Sequence, residues 1–418
     1  MEDSIGLFEV ENQLINSETS KNINDLFQKG TARYLRGDME KAAEYFQSIT
    51  SINPNIPEPF VNLGNAYFNL NRVNEALDCW KKALALDENQ VPCYTNIGNG
   101  YFALGNVNEA IYYWHVALSM APDHCNTLFN LGAAYDSLND KITAFKYFNL
   151  YLKYQNDTST YEFDKIMRRV TDSKKIALHN IKSAIICQNK NDYRSAALAY
   201  VKSIKAYPYI EKAHLNLGSI LYKAGNIDSA VNYWLKAIKV NPKNEVVYCN
   251  LGIAYDRLNQ QDKAYCMYKR YFNVCKDPSS DSYEIEERIN KISKYLLTHP
   301  EYARKHSDMA EGFYRDKKFF EALWEYENAV ILDPKLESSF KDRIVELKNF
   351  INPESRVSKI AYQVGNDLMS KNKYKDALQA FKRALLLEPN GEFSREIRMN
   401  MSKCKSVIYR TPKRVDDE

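Results

Sequence analysis

Five asparagines recur at one fixed place in a repeating pattern. Asn62, Asn96, Asn130, Asn216 and Asn250 each stand two residues before a glycine, and Asn65 and Asn99 follow their own glycines by one residue. A primary amide offers a donor and an acceptor together. A row of amides at one spacing can therefore hydrogen-bond the backbone of an extended peptide without reading its side chains. If the segments are helical, Asn62 and Asn65 share a face, because residues three apart do. This is recognition chemistry; no bond need be made or broken by it.

The residue types that catalyse are present without their patterns. The histidines, His115, His124, His179, His214, His299 and His306, form no HExxH or comparable pair. They read as solvated or partly packed side chains, several of them facing solvent, rather than as metal ligands. The cysteines, Cys79, Cys93, Cys125, Cys187, Cys249, Cys266, Cys275 and Cys404, contain no CxxC pair and read as small buried thiols in a reducing compartment. The fragment GNGYFA (98–103) matches GxGxxA. It lies inside a helical pattern with no strand before it, so it is not a nucleotide loop. Neither GxxxxGKS/T nor GxSxG occurs. The expectation is a protein that is not an enzyme, with no catalytic residue, no metal and no cofactor.

Composition sets the frame that must hold the asparagines. A chain of 418 residues allows two or three domains or one elongated array. With 45% apolar and 26% charged residues it belongs with folded soluble proteins. A net charge of +4 argues against a nucleic-acid groove or a membrane-surface patch. Thirty-one tyrosines against 14 glycines and 13 prolines suit packed helices better than a turn-rich β-protein. The opening MEDSIGLFEVENQ is acidic and lacks the apolar run of a signal peptide. No stretch approaches the roughly 20 apolar residues that span a bilayer. A cytoplasmic location without membrane insertion is the expectation.

The glycines beside the asparagines reveal a period. Gly30, Gly64, Gly98 and Gly132 are 34 residues apart. Twelve residues after each stands an alanine (Ala42, Ala76, Ala110, Ala144), and four later an aromatic (Phe46, Trp80, Trp114, Phe148). Pro54 and Pro122 close their units. This pattern resembles the tetratricopeptide repeat, whose W-x2-L-G-x2-Y, A-x3-F and P signature it matches over successive units. Units fall at 23–56, 57–90, 91–124, 125–158, 177–210, 211–244, 245–278, 303–336 and 358–391. The fifth and eighth are degenerate, with Ala184 and Ala310 in the glycine column. The resemblance implies an all-α solenoid of about nine helical-hairpin repeats, interrupted by extra inserted helices, in which neighbours must stack to bury their apolar stripes.

The family also supplies two expectations for the site. Its first helices line a concave wall, and the asparagine column resembles the ladder of superhelical arms that grip unfolded segments. The alternative is that these amides bond only within their own repeat or to water. The carboxylate clamp of chaperone-binding members needs a lysine beside the column; Val61, Thr95, Phe129, Leu215 and Cys249 stand there instead. One turn on come Phe68, Phe102, Asp136, Tyr222 and Asp256, so aromatics border the amides and two aspartates could meet a basic partner.

A longer period overlies the first. NLGAAYDSLND (130–140) returns as NLGIAYDRLNQ (250–260), three repeats and an 18-residue insert later. The inserts correspond: YEFDKIMRRV (161–170) and YEIEERINKI (283–292) place Phe163, Met167, Val170 and Ile285, Ile289, Ile292 at helical spacing. Ser159 with Glu162 reads as a capping box. Tyr151 and Tyr271 stand where other units have a small alanine, which predicts interrupted stacking near 156–176 and 276–302, with protease-sensitive points near 155–160 and 276–282. The expected organisation is an N-terminal extension (1–22), a four-repeat module (23–158), an inserted helix (159–176), a three-repeat module (177–278), an inserted helix (279–302), a two-repeat module (303–391) with an extra helix at 337–350, a capping helix (392–410) and a disordered tail (411–418).

Together these features predict a non-catalytic scaffold or adaptor holding a peptide or protein partner in a concave groove. The alternative is a structural subunit of a larger secretion, motility or envelope-assembly complex. Self-association fits that alternative, whereas a scaffold can be monomeric.

Overall fold

The computed structural model describes residues 21–156, 158–275, 282–388, 391 and 393–410. The expected N-terminal extension lies almost wholly outside the described residues. So do the 411–418 tail and most of the 276–282 cleavage point. Two compact units are present, Met1–Ala121 and Pro122–Glu418. No strand occurs among the described residues.

The first unit holds three pairs of successive helices. They are α1 (21–35) with α2 (Met39–Ile52), α3 (Pro57–Asn69) with α4 (Val73–Leu86), and α5 (Val91–Ala103) with α6 (Val107–Met120). The second unit begins with α7 (Cys125–Ser137) and α8 (Lys141–Tyr154), then α9 (Tyr161–Asn189) and α10 (Tyr193–Ala206). It continues with α11 (Glu211–Lys223) and α12 (Ile227–Val240), and with α13 (Glu245–Arg257) and α14 (Gln261–Val274). A lone α15 (Ser282–Leu296) precedes the pair α16 (Glu301–Arg315) and α17 (Phe319–Leu332). A lone α18 (Glu337–Ile351) precedes the pair α19 (Pro353–Ser370) and α20 (Tyr374–Leu387), and α21 (Ser394–Arg410) follows. The chain is all-α, built from helical hairpins in series.

The repeat columns explain each hairpin. A Cβ added to Gly64 would sit 2.5 Å from Trp80 Nε1, one on Gly98 2.4 Å from Trp114 Nε1, and one on Gly132 2.5 Å from Phe148. Gly218, Gly252 and Gly365 meet Trp234, Tyr268 and Phe381 in the same way. The glycine is thus the floor on which the aromatic of the second helix lies. The alanine column is fully buried where the two helices approach. The turn between helices has its own recurring residue, seven after the glycine column, in the left-handed region. Gly37, Asn71, Gly105, Asn139, Asn191, Gly225, Asn259, Lys317 and Asn372 all have φ between 57° and 85°. This conformation ends the first helix: the next N–H returns to the carbonyl five residues back, as from Arg72 to Tyr67 at 2.8 Å. That next residue also starts the second helix, and Asp38, Asp140, Asp192 and Asn226 cap it with their side chains.

The first insert differs from the expectation of a separate helix over 159–176. It forms the opening half of α9, which runs unbroken for 29 residues into the fifth repeat. The reason is local. No glycine or proline interrupts 161–189, and Ile166, Val170, Ala177, Ile181 and Ala184 form one continuous buried stripe. Pro300, in contrast, separates α15 from α16. Thr160, not Ser159, caps α9, accepting from the Phe163 amide at 3.2 Å. Met167, expected to pack, is exposed, and Ile166 takes the core position. In the second insert Ile285, Ile289 and Ile292 are all buried. Tyr151 is buried too, its ring between those of Phe129 and Phe163.

Candidate protein-interaction site

All seven asparagines lie half-buried on the first helices of their pairs. Their amides serve two different ends. Trp80 Nε1 donates to Asn65 Oδ1 at 3.1 Å and to the Val61 carbonyl at 3.3 Å. Trp114 repeats this with Asn99 Oδ1 and the Thr95 carbonyl, both at 3.1 Å. Asn96 Nδ2 then donates to Asn65 Oδ1 at 2.8 Å, tying α5 to α3. Asn216 Nδ2 donates to the Tyr200 hydroxyl at 2.8 Å, tying α11 to α10. Asn400 repeats the amide link on α21, donating to Asn366 Oδ1 of α19 at 2.9 Å. Asn130 is likewise engaged. Asn62 and Asn250 alone among the seven make no side-chain hydrogen bond within the described residues.

The aromatics beyond the amides lie against the repeat tryptophans. Phe68 packs on Trp80, Phe102 on Trp114 and Tyr222 on Trp234, with ring centroids 5.6–5.7 Å apart. Asp136 and Asp256 do not wait for a basic partner; the inserted helices supply one. Arg169 of α9 sets both guanidinium nitrogens on Asp136, at 2.8 and 3.0 Å, with Lys141 on the same carboxylate at 2.8 Å. Arg288 of α15 meets Asp256 at 2.7 Å. The Arg169 hydrogen bonds, opposed by partial burial and aided by Lys141, hold the Asp136 carboxyl below its usual range.

The sequence reading missed a polar core. His115, His214 and His306 are buried, not solvent-facing. His214 Nε2 donates to the Pro208 carbonyl at 2.9 Å, and burial pushes its pKa down to about 4. His306 of α16 places Nδ1 against Glu325 of α17 and Nε2 3.4 Å from Asp262 of α14. Burial opposes its charge, but the two carboxylates outweigh that and raise its pKa. Arg270 of α14 joins the same helices, reaching Glu327 at 2.7 Å and Asn328 Oδ1 at 3.0 Å over the Trp324 ring. Farther along, Lys239 of α12 bridges Asp140 at 2.8 Å and Glu321 at 3.3 Å. No short-range spacing announces these groups, since each cluster draws on two or three helices. No group of three or more His, Cys, Asp or Glu among the described residues is arranged to hold a metal ion.

Comparison with known proteins finds repeat models matching three segments of the chain. Models described as tetratricopeptide repeat match residues 26–55 and 57–90, and one described as TPR repeat matches 218–259. The TPR repeat-containing protein MJ1428 of Methanocaldococcus jannaschii is 24% identical over 235 residues, which cover 56% of this chain and 32% of that protein. The chain thus spans about a third of that relative's length. Among solved structures, the P58(IPK) TPR domain is similar over 86% of this chain and 99% of its own, at 15% identity and a TM-score of 0.35. A tetratricopeptide repeat protein from Parabacteroides merdae is similar over 65% and 99%, at 16% identity and a TM-score of 0.31.

Proposed function

We propose that the chain, three segments of which match tetratricopeptide-repeat models, is a non-catalytic interaction scaffold of that family, gripping an extended segment of a protein partner along the first helices of its repeats. The observation that carries this reading is the division of labour in the asparagine column. Asn65, Asn96, Asn99 and Asn216 are occupied in holding helices together. Asn62 and Asn250, at the same repeat position, keep amide donors and acceptors that no other described residue uses. Half-buried and unpaired, such groups gain most from a backbone laid across them. The near-balanced charge supports a protein rather than a nucleic acid as partner. No helix among the described residues is long and apolar enough to cross a membrane. The cytoplasm, and the grouping of repeats into 23–158, 177–278 and 303–391, remain part of the proposal.

The test uses a peptide selected against the intact chain from a random display library. In this reading Asn62→Ala weakens a peptide held on the first unit, and Asn250→Ala one held on the second, each about two- to tenfold, because one hydrogen bond contributes on the order of 0.5–1.5 kcal/mol. Melting is unchanged. Asn65→Ala/Asn99→Ala instead lowers the melting temperature. Unchanged affinity in a folded Asn62→Ala/Asn250→Ala chain would refute the amide grip.

A second reading, a structural subunit of a larger secretion, motility or envelope-assembly complex, is favoured by one observation. Tyr161 and Tyr283 open the two inserted segments at matching positions, and both are three-quarters exposed. Ile176 and Ile186 are also exposed on α9. Sedimentation of the wild type against Tyr161→Ser/Tyr283→Ser separates the readings: concentration-dependent association lost in the variant supports the subunit, and a monomer throughout removes it.

A further inference from the structure

The second unit contains a cleft of about 410 Å³ between α8, α12, α13, α14, α16 and α17. Its wall is largely apolar, with Ile142, Leu235, Met267, Met309, Phe320 and Trp324 among its side chains. A volume of this order is that of a small-molecule site, for which the usual range is about 300–1,000 Å³. Two methionines make such a wall adaptable to a flexible apolar chain.

The charges around the cleft do not cancel evenly. Its three carboxylates already have partners inside the protein: Lys239 bridges Asp140 and Glu321, and His306 takes Glu325. Lys236 and Lys263 also line the cleft, and neither has a carboxylate partner among the described residues. Their ammonium groups lie only over aromatic rings, 5.2 Å from that of Tyr233 and 5.4 Å from that of Tyr255. A ring quadrupole attracts a cation without neutralising it. His306, 1% exposed, also lines the cleft, but its two ring nitrogens already face Glu325 and Asp262. The unmatched polarity is therefore that of the two lysine cations beside an apolar wall.

We propose that this cleft binds a single-chain amphiphile with an anionic head, of the class of long-chain carboxylates, its tail against the methionine and aromatic wall and its carboxylate on the wall's lysines without a carboxylate partner, Lys236 and Lys263. The site is independent of the asparagine column and would make the second unit responsive to a small molecule as well as to a protein.

Calorimetric titration of the intact chain with dodecanoate, dodecanol and dodecylammonium tests it. Dodecanoate is expected to bind saturably, one per chain, with a negative heat-capacity change from apolar burial. Dodecanol should bind at least tenfold more weakly, and dodecylammonium no better than the alcohol. Lys236→Met/Lys263→Met should lower dodecanoate affinity to that of dodecanol with an unchanged circular dichroism melt, and Lys236→Arg/Lys263→Arg should restore it. Should the methionine variant unfold, Lys236→Gln/Lys263→Gln makes the same comparison. No saturable binding, equal binding of anion and cation, or indifference to loss of both lysines overturns the proposal.

Discussion

Arg169 and Asp136 form a two-pronged ion pair, at 2.8 and 3.0 Å, that fastens the opening half of α9 to the end of α7. Arg288 and Asp256 make a single contact, at 2.7 Å, at the matching place on α15 and α13. The Arg169 guanidinium also lies 5.3 Å from the Phe145 and Phe148 rings, so it joins the insert to the repeat core as well as to the carboxylate. The long repeat in the sequence thus corresponds to a duplicated device for docking an inserted helix.

Arg169→Ala should loosen that docking. Charge-assisted pairs contribute about 1.5–3 kcal/mol when well shielded, and this one is partly exposed, so a loss of about 1–2 kcal/mol is expected. Hydrogen exchange should quicken at the amides of 161–170 and stay slow over 177–189. Uniformly unchanged exchange would mean that the apolar stripe alone holds the helix.

Gly64→Ala places a methyl 2.5 Å from the Trp80 indole. Overpacking of this kind costs about 1–3 kcal/mol, partly offset by the higher helix propensity of alanine. The net expectation is a loss of about 1–2 kcal/mol in urea unfolding. In a Trp80→Leu background the same substitution should be neutral or stabilising, because the obstructing ring is gone. A loss of equal size in both backgrounds would show that the ring is not the cause.

Among the described residues, Lys317 is the one hairpin-turn residue with positive φ that is neither glycine nor asparagine. A residue with a long side chain is strained there, and asparagine tolerates that region better. Lys317→Asn should raise the urea midpoint, by about 0.5 kcal/mol in stability, with α16 and α17 unchanged. A lower midpoint would show that the lysine side chain contributes more than the strain removes.

His306 is expected to make the second unit sensitive to pH. Its folded pKa is raised above the ordinary value because Asp262 and Glu325 face it, although burial works the other way. Its contribution is therefore complete below about pH 6.5, the unfolded value, and is lost as pH climbs through the folded value. Thermal melts at pH 6 and pH 9 should differ less in His306→Gln than in the wild type, with the larger loss of stability in the variant at pH 6. An equal pH dependence in the two proteins would place the histidine outside the linkage.

Much of the fold was legible because a repeat writes its packing locally. The glycine, alanine and aromatic columns lie within one hairpin, and every contact they encode, such as Gly64 with Trp80, spans a single unit. The left-handed turn residues were equally present in the sequence, as Asn71, Gly105 and Asn139 at the same spacing, but they gain meaning only once the helix ends are placed. Periodicity could not decide where one helix stops and the next begins when no proline or glycine stands between, hence the fusion of the first insert into α9.

The amino-acid sequence by itself determined the helical hairpins and which face of each is apolar, since these follow from residue spacing along one helix and from backbone conformation at the turns. Tertiary structure decided which polar side chains meet: Asn65 with Trp80 and Asn96, Arg169 with Asp136, His306 with Asp262 and Glu325, and Lys239 with Asp140 and Glu321. The separations involved reach 99 residues, from Asp140 to Lys239. Such a meeting depends on the small rotation added by every intervening hairpin, a sum over many packing contacts that no single position encodes.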